Sequence, residues 1–207
     1  MTMKTNIISL LSILLVLLFD SSCFSQEKEF KSSWEISISS GQSFVDNFIG
    51  AGLDYSTGLT FNPEVTYNFT DIFSTSLSLL STTANTGSKS ADFRRVYSVE
   101  DINGVGVADH YQTTLTPTIQ FSPINLKKHK LYIGVGPSYT IGNSLLSETI
   151  GEVSTTISKN ISEFGYLGTI GYKFSFSKNW TIGGKYIYNK NNQKAEHILI
   201  SLGYKIN

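Results

Sequence analysis

Cysteine is nearly absent: the 207 residues hold one, Cys23, close to the N-terminus. No disulfide framework is available, so an exported form of this chain has to draw its stability from hydrogen bonding and packing. Charge is scarce as well, at 15% against roughly a quarter in ordinary soluble domains. It is also evenly split, with 16 Lys plus Arg and 16 Asp plus Glu. That balance excludes a nucleic-acid binder, which needs a basic face. No apolar run reaches the roughly 20 residues of a membrane helix, and a mean hydropathy of -0.03 excludes a polytopic helical membrane protein. Beyond the leader there is no sustained 3.6-residue period. At 13% aromatic and 40% hydrophobic residues, the chain is equally far from disorder. What remains is a β-rich domain with little surface charge.

The start of the chain reads as an address. Lys4 precedes the apolar run Ile7–Phe19, and small residues follow at Ser21, Ser22, Cys23 and Ser25. This is a secretory signal over residues 1–25, too short to span a bilayer, with the mature domain at 26–207. The competing reading makes Cys23 a lipid-modified N-terminus, but Asp20 stands where a lipoprotein signal wants an aliphatic residue. Both readings take the protein out of the cytoplasm.

Eight segments alternate with period two. Trp34, Ile36 and Ile38 share one face, as do Leu59, Phe61, Val65, Tyr67 and Phe69, then Phe73, Leu77 and Leu79. Tyr111, Leu115, Ile119 and Phe121 form the fourth; Leu131, Ile133, Val135 and Tyr139 the fifth; Phe164, Tyr166, Ile170, Tyr172, Phe174 and Phe176 the sixth. Trp180, Ile182, Tyr186 and Tyr188 make the seventh, and Ile198, Ile200, Leu202, Tyr204 and Ile206 the last. The opposite faces carry Ser, Thr, Gly, Asn and Gln rather than the Lys and Glu that coat a water-facing sheet. The segments have about the 9–11 residues that a tilted strand needs to cross a bilayer.

Aromatics gather at the segment ends. Trp34, Tyr67, Phe69, Phe73, Phe121, Phe174, Phe176, Trp180 and Tyr204 lie by the chain ends and short turns, as lipid-interface residues do. Tyr111, Tyr139, Phe164, Tyr166, Tyr186 and Tyr188 lie by the longer connections, 41–58, 84–110, 140–163 and 189–196. Two belts, with short turns on one side and long loops on the other, describe an outer-membrane barrel. Hydrocarbon offers no partner to a free sheet edge, so the first and last strands must pair. The expected fold is therefore an all-β, eight-stranded antiparallel transmembrane up-and-down β-barrel. Pro63, Pro117 and Pro137 fall mid-strand, where each removes a ladder hydrogen bond and marks a bulge or bend. A soluble barrel with its apolar face inward is the alternative that the same alternation allows.

On these residues the chain resembles the small eight-stranded outer-membrane barrels of the OmpA/OmpX kind, the outer membrane protein β-barrel domain group. The resemblance covers nearly all of Ser33 to Asn207, including the final HILISLGYKIN. It implies residence in a Gram-negative outer membrane, contact with outer-membrane lipid, and insertion by the barrel assembly machinery. Such barrels usually finish on an aromatic residue, whereas here Tyr204 is the nearest to Asn207. The Ser25-Gln26 junction is similar to signals of Bacteroidota.

Five charged residues should point into the lumen: Glu35, Glu64, Lys173, Lys185 and Lys205. Glu35 and Lys205 should be neighbours at the closure seam, and Glu64 and Lys185 lie at similar depth. An eight-stranded interior is just wide enough for side chains to fill, so these charges are expected to pair and plug it. The three histidines, His110, His129 and His197, lack metal-ligand spacing and read as solvated surface groups. No cofactor is expected. Lipid A deacylases on similar barrels carry a His-x-Ser element late in the chain, but His197 is followed by Ile198 and Leu199. A palmitoyltransferase-like reading would have to use Asp109 and His110 with loop serines.

Within 84–110, apolar residues around Asn103-Gly104 suggest a hairpin with an Asn-Gly turn, a ribbon above the membrane whose edge could recruit an extracellular partner. The expectation is a non-enzymatic barrel with a structural, adhesive or envelope-interaction role. A narrow porin-like pore and a lipid A-modifying enzyme are the alternatives.

Overall fold

The computed structural model describes residues 32–46, 55–85, 89–92, 103–150 and 153–206. The expected leader and the N-terminal residues as far as Lys31 lie outside them, as do 93–102 of the expected ribbon. Nine strands follow in order: β1 (Ser33–Asp46), β2 (Tyr55–Asn68), β3 (Phe73–Asn85), β4 (Lys89–Asp92), β5 (Asn103–Asn125), β6 (His129–Ile150), β7 (Val153–Ser175), β8 (Trp180–Lys190) and β9 (Lys194–Ile206). All pairings are antiparallel. β3 pairs with β5, and β1 pairs with β9 from Trp34↔Ile206 to Val45↔Ala195, which closes eight strands into a ring. The short β4 pairs only with the first residues of β5 and stands outside the ring.

Period two decides what each side of the wall meets. In β1, Ile36 and Ile38 are 48% and 53% exposed on the outer surface, while the alternating Ser37 and Ser39 are buried. Leu59, Ile119, Val135, Ile200 and Leu202 are likewise outward and exposed. The inside is lined by Ser, Thr, Asn, Gln and the charged residues. This is an inverted protein, apolar without and polar within, and it rules out the soluble alternative.

Three expectations are corrected. Residues 140–163 do not form a loop, because β6 and β7 stay paired all the way from His129↔Phe174 to Ile150↔Val153. Asn103 and Gly104 do not make a turn; they pair with Asp92 and Ala91. The connection near 189–196 shrinks to the few residues between β8 and β9, where Asn191 N donates to Gln193 O at 3.0 Å.

The prolines interrupt the ladder with economy. Pro117 pairs with Leu77 on one side and Pro137 with Tyr166 on the other. Between them the β5–β6 ladder lapses from Leu115↔Tyr139 to Ile119↔Val135, a register that sets Pro117 opposite Pro137. Two missing donors thus share one gap. The bulge between Phe121 and Ile124 falls instead at Pro123.

Candidate functional site

The lumen is built in layers. Nearest the short turns, Glu35 accepts from Lys173 Nζ at 2.8 Å and from Thr181 Oγ1 at 3.2 Å. Lys205 is the backbone partner of Glu35 across the closing seam, yet its Nζ donates to Ser175 Oγ at 3.2 Å. A lysine stem reaches several ångströms, so inside a narrow barrel the facing strand competes with the adjacent one. One step further in, Lys185 Nζ donates to Glu64 Oε2 at 3.0 Å and to Asn62 Oδ1 at 2.5 Å. Thr66 Oγ1 donates to Glu64 Oε1 at 3.1 Å. Glu35, Glu64, Lys173 and Lys185 are all buried, so each ion pair is dry, and losing one partner would strand the other.

Two features of this region are missing from the pattern of charges. Tyr132 lies among these groups, 2% exposed, with Lys173 Nζ 5.3 Å from its ring centre. Its space exists because Gly171, its register partner, has no side chain: a Cβ there would come within 2.4 Å of the tyrosine ring. Beyond the charges, Leu80, Leu167, Ile187 and Leu199 close into a buried apolar cluster inside the barrel. Leu199 sits in the continuous run Ile198-Leu199-Ile200 and Ile187 between two tyrosines, so alternation alone does not advertise either.

On the far side of that cluster the interior is polar again. His197 Nδ1 lies 2.9 Å from Thr60 Oγ1, which also meets Thr82 Oγ1 at 2.8 Å. His110 Nδ1 lies 2.6 Å from Ser144 Oγ, and Gln112 Nε2 donates to Gln193 Oε1 at 2.8 Å. His110 and His197 are therefore buried lumen residues, not solvated ones; polar residue type hid them among the loop positions. His129 is exposed and touches Tyr172 OH through Nδ1 at 2.5 Å. The His110–Ser144 contact has the outline of a base and nucleophile, but both residues are buried within the barrel, away from any lipid. Among the described residues no three His, Cys, Asp or Glu side chains gather as a metal would require.

The interface aromatics expected at the short-turn end meet in pairs on the outer wall: Trp34 with Tyr67 at 4.7 Å, Phe73 with Phe121 at 5.4 Å, and Trp180 with Tyr204 at 5.1 Å. Tyr67 also meets Phe69 at 6.3 Å, and Phe174 stacks beside His129 at 5.2 Å. Phe176 stands 53% exposed. At the opposite end Tyr139 and Phe164 meet at 4.7 Å, and Tyr166 and Tyr188 at 6.4 Å.

Past that second belt β5, β6 and β7 continue, with the short β4 paired to the outermost residues of β5. They have 23, 22 and 23 residues, against 11 in β8 and 13 in β9. β7 pairs with β6 along its whole length but with β8 only from Tyr166↔Lys190 onward. With about 10 residues needed to span the membrane at a tilt, the excess carries these three long strands, edged by β4, roughly 25 Å beyond it.

A model of the outer membrane protein beta-barrel domain matches residues 11–205. No curated protein matches the chain in sequence. Solved structures that share the fold include the following three. Neisserial surface protein A aligns with a TM-score of 0.54 at 11% identity, covering 86% of this chain and 100% of that one. Ail, the attachment invasion locus protein of Yersinia pestis, aligns at 0.50 and 20% identity, covering 86% and 100%. The outer membrane protein OprG of Pseudomonas aeruginosa aligns at 0.50 and 17%, covering 85% and 97%.

Proposed function

We propose, from the premise that this chain belongs to the outer membrane protein beta-barrel domain family, that it is a plugged, non-enzymatic barrel whose work is done by the sheet it raises outside the cell. A bacterial outer membrane is the setting. The observation that carries this reading is the length of β5, β6 and β7, about twice what the membrane requires. Backbone is extended into water only at a cost in conformational entropy, and a sheet of β5, β6 and β7, edged by β4 and held clear of the lipid, is a platform on which another protein can add a strand or pack a face. The partner surface expected in the 84–110 connection then extends onto the β6–β7 hairpin.

The plug supports the same reading. Glu35–Lys173, Glu64–Lys185, Tyr132 and the apolar cluster fill the lumen in successive layers, which favours a plugged barrel over a pore. The experiment is a ribbon truncation: residues 145–158, whose ends pair as Leu145↔Ser158, are replaced by Asn-Gly. Cells displaying the truncated barrel should lose adhesion to host-matrix surfaces while the protein still inserts and resists SDS until boiled. Unchanged adhesion, or stable single-channel steps from the intact protein in planar bilayers, would refute the reading.

A further inference from the structure

The two ends of the barrel differ in charge among the described side chains, basic at the short turns and nearly balanced at the other end. Among the described residues the short-turn end has Lys127, Lys128, Lys130, Lys178 and Lys205 exposed or half-buried at its rim, with Asp71 the acidic group there. At the other end Asp46, Asp109, Glu163 and Glu196 face Lys159, Lys190 and Lys194. The short turns are the periplasmic side of such barrels, so the basic rim lies against the phospholipid leaflet.

The lysines are arranged with apolar side chains beside them. The β5–β6 turn places Leu126, 64% exposed, next to exposed Lys127 and Lys128. The β7–β8 turn places Phe176 and Trp180, 53% and 42% exposed, on either side of exposed Lys178. The two turns are tied to each other by Ser175 N, which donates to Lys128 O at 2.8 Å, and the β5–β6 turn is itself closed by the backbone bonds that Leu126 and His129 exchange at 2.8 and 3.1 Å. Asp71 of the β2–β3 connection adjoins the β5–β6 turn on the side away from β7, where Asn125 Nδ2 donates to its carbonyl at 2.6 Å, so the lysines outnumber the one acidic group there three to one. An apolar margin at headgroup depth carrying two or three cations is what an anionic amphiphile complements, with acyl chain on the aromatics and phosphate on the lysines.

We propose that the β5–β6 and β7–β8 turns form a binding site for an anionic phospholipid of the periplasmic leaflet, with Lys127, Lys128 and Lys178 holding the phosphate and Leu126, Phe176 and Trp180 bedding the chain. The proposal is independent of the extracellular reading above.

Trp180 reports on the site directly. In Trp34→Phe it is the remaining tryptophan of two, and brominated lipid quenches it by contact. The full chain is refolded into phosphatidylcholine bilayers containing brominated phosphatidylglycerol. Quenching should show phosphatidylglycerol preferred by at least about fivefold at low ionic strength, as a single surface lysine provides. In Lys127→Gln/Lys128→Gln/Lys178→Gln the preference should fall to near unity, and Lys178→Gln alone should give an intermediate value should the triple variant fail to insert. Sodium phosphate should displace the lipid no better than sodium chloride at equal ionic strength. A ratio near unity in the parent, a ratio indifferent to the lysine substitutions, or selective displacement by phosphate would each overturn the proposal.

Discussion

The side-chain amide of Asn62 donates to the backbone carbonyl of Leu79, 3.2 Å away, at the place where Pro63 interrupts the β2–β3 ladder. The register on both sides of the interruption sets Pro63 opposite Leu79, so the proline withholds the bond that this carbonyl would otherwise receive. Asn62 fills in for it, and its Oδ1 accepts from Lys185 at the same time. One side chain thus ties a wall defect to the charge pair in the lumen. Asn62→Ala should cost about 1–3 kcal/mol, because a carbonyl and an ammonium both lose a partner. In a Pro63→Val background the cost should be smaller, since valine returns the missing N–H. Urea unfolding in phospholipid vesicles, run as a double-mutant cycle, measures the difference; equal costs in both backgrounds would disprove the link.

The Glu64–Lys185 pair makes a second case. Lys185→Met alone leaves a buried carboxylate unpaired and should cost about 3–5 kcal/mol. The double variant Glu64→Gln/Lys185→Met should lose much less than the sum of the singles. Strictly additive losses would show that each charge is held by its other neighbours.

Gly171 and Tyr132 should be coupled through shape rather than charge. Gly171→Ala pushes a methyl into the tyrosine ring and should cost about 1–3 kcal/mol as an overpacked site. In Tyr132→Leu the same substitution should be nearly neutral. The readout is the urea midpoint of the four variants.

The apolar cluster is predicted to act as the dry layer of the plug. Leu199→Ala should destabilise by about 2–4 kcal/mol through the cavity it leaves. Leu80→Ser/Leu199→Ser should let small cations leak where the parent is silent in planar bilayers. Silence in the double variant would mean that the ion pairs block the lumen unaided.

The wall was legible because its chemistry repeats every two residues: Ile36 and Ile38 against Ser37 and Ser39 separate two faces without any tertiary information, and the scarcity of Lys and Glu on the polar face then favours turning it inward. Glu64 and Lys185 could be matched because depth along a strand can be counted. The partner of Glu35 could not be read that way, since Lys205 and Lys173 both point inward and the choice rests on side-chain reach across the lumen. The β6–β7 extension was illegible for another reason. Its run NSLLSETIGEVSTTISKN breaks alternation at Leu145-Leu146 and is rich in Ser, Thr, Asn and Gly, so its strands owe their order to each other rather than to an apolar face.

The antiparallel seam brings Trp34 of the first strand beside Ile206 of the last, so the two ends of the strand ring lie within a short peptide's reach on the same side of the bilayer. The order in which the chain visits the staves is then incidental to the cask they make. A circular permutant, spliced across that junction and cut between Asp46 and Tyr55, would begin at β2 and end at β1 while keeping every pairing of the original.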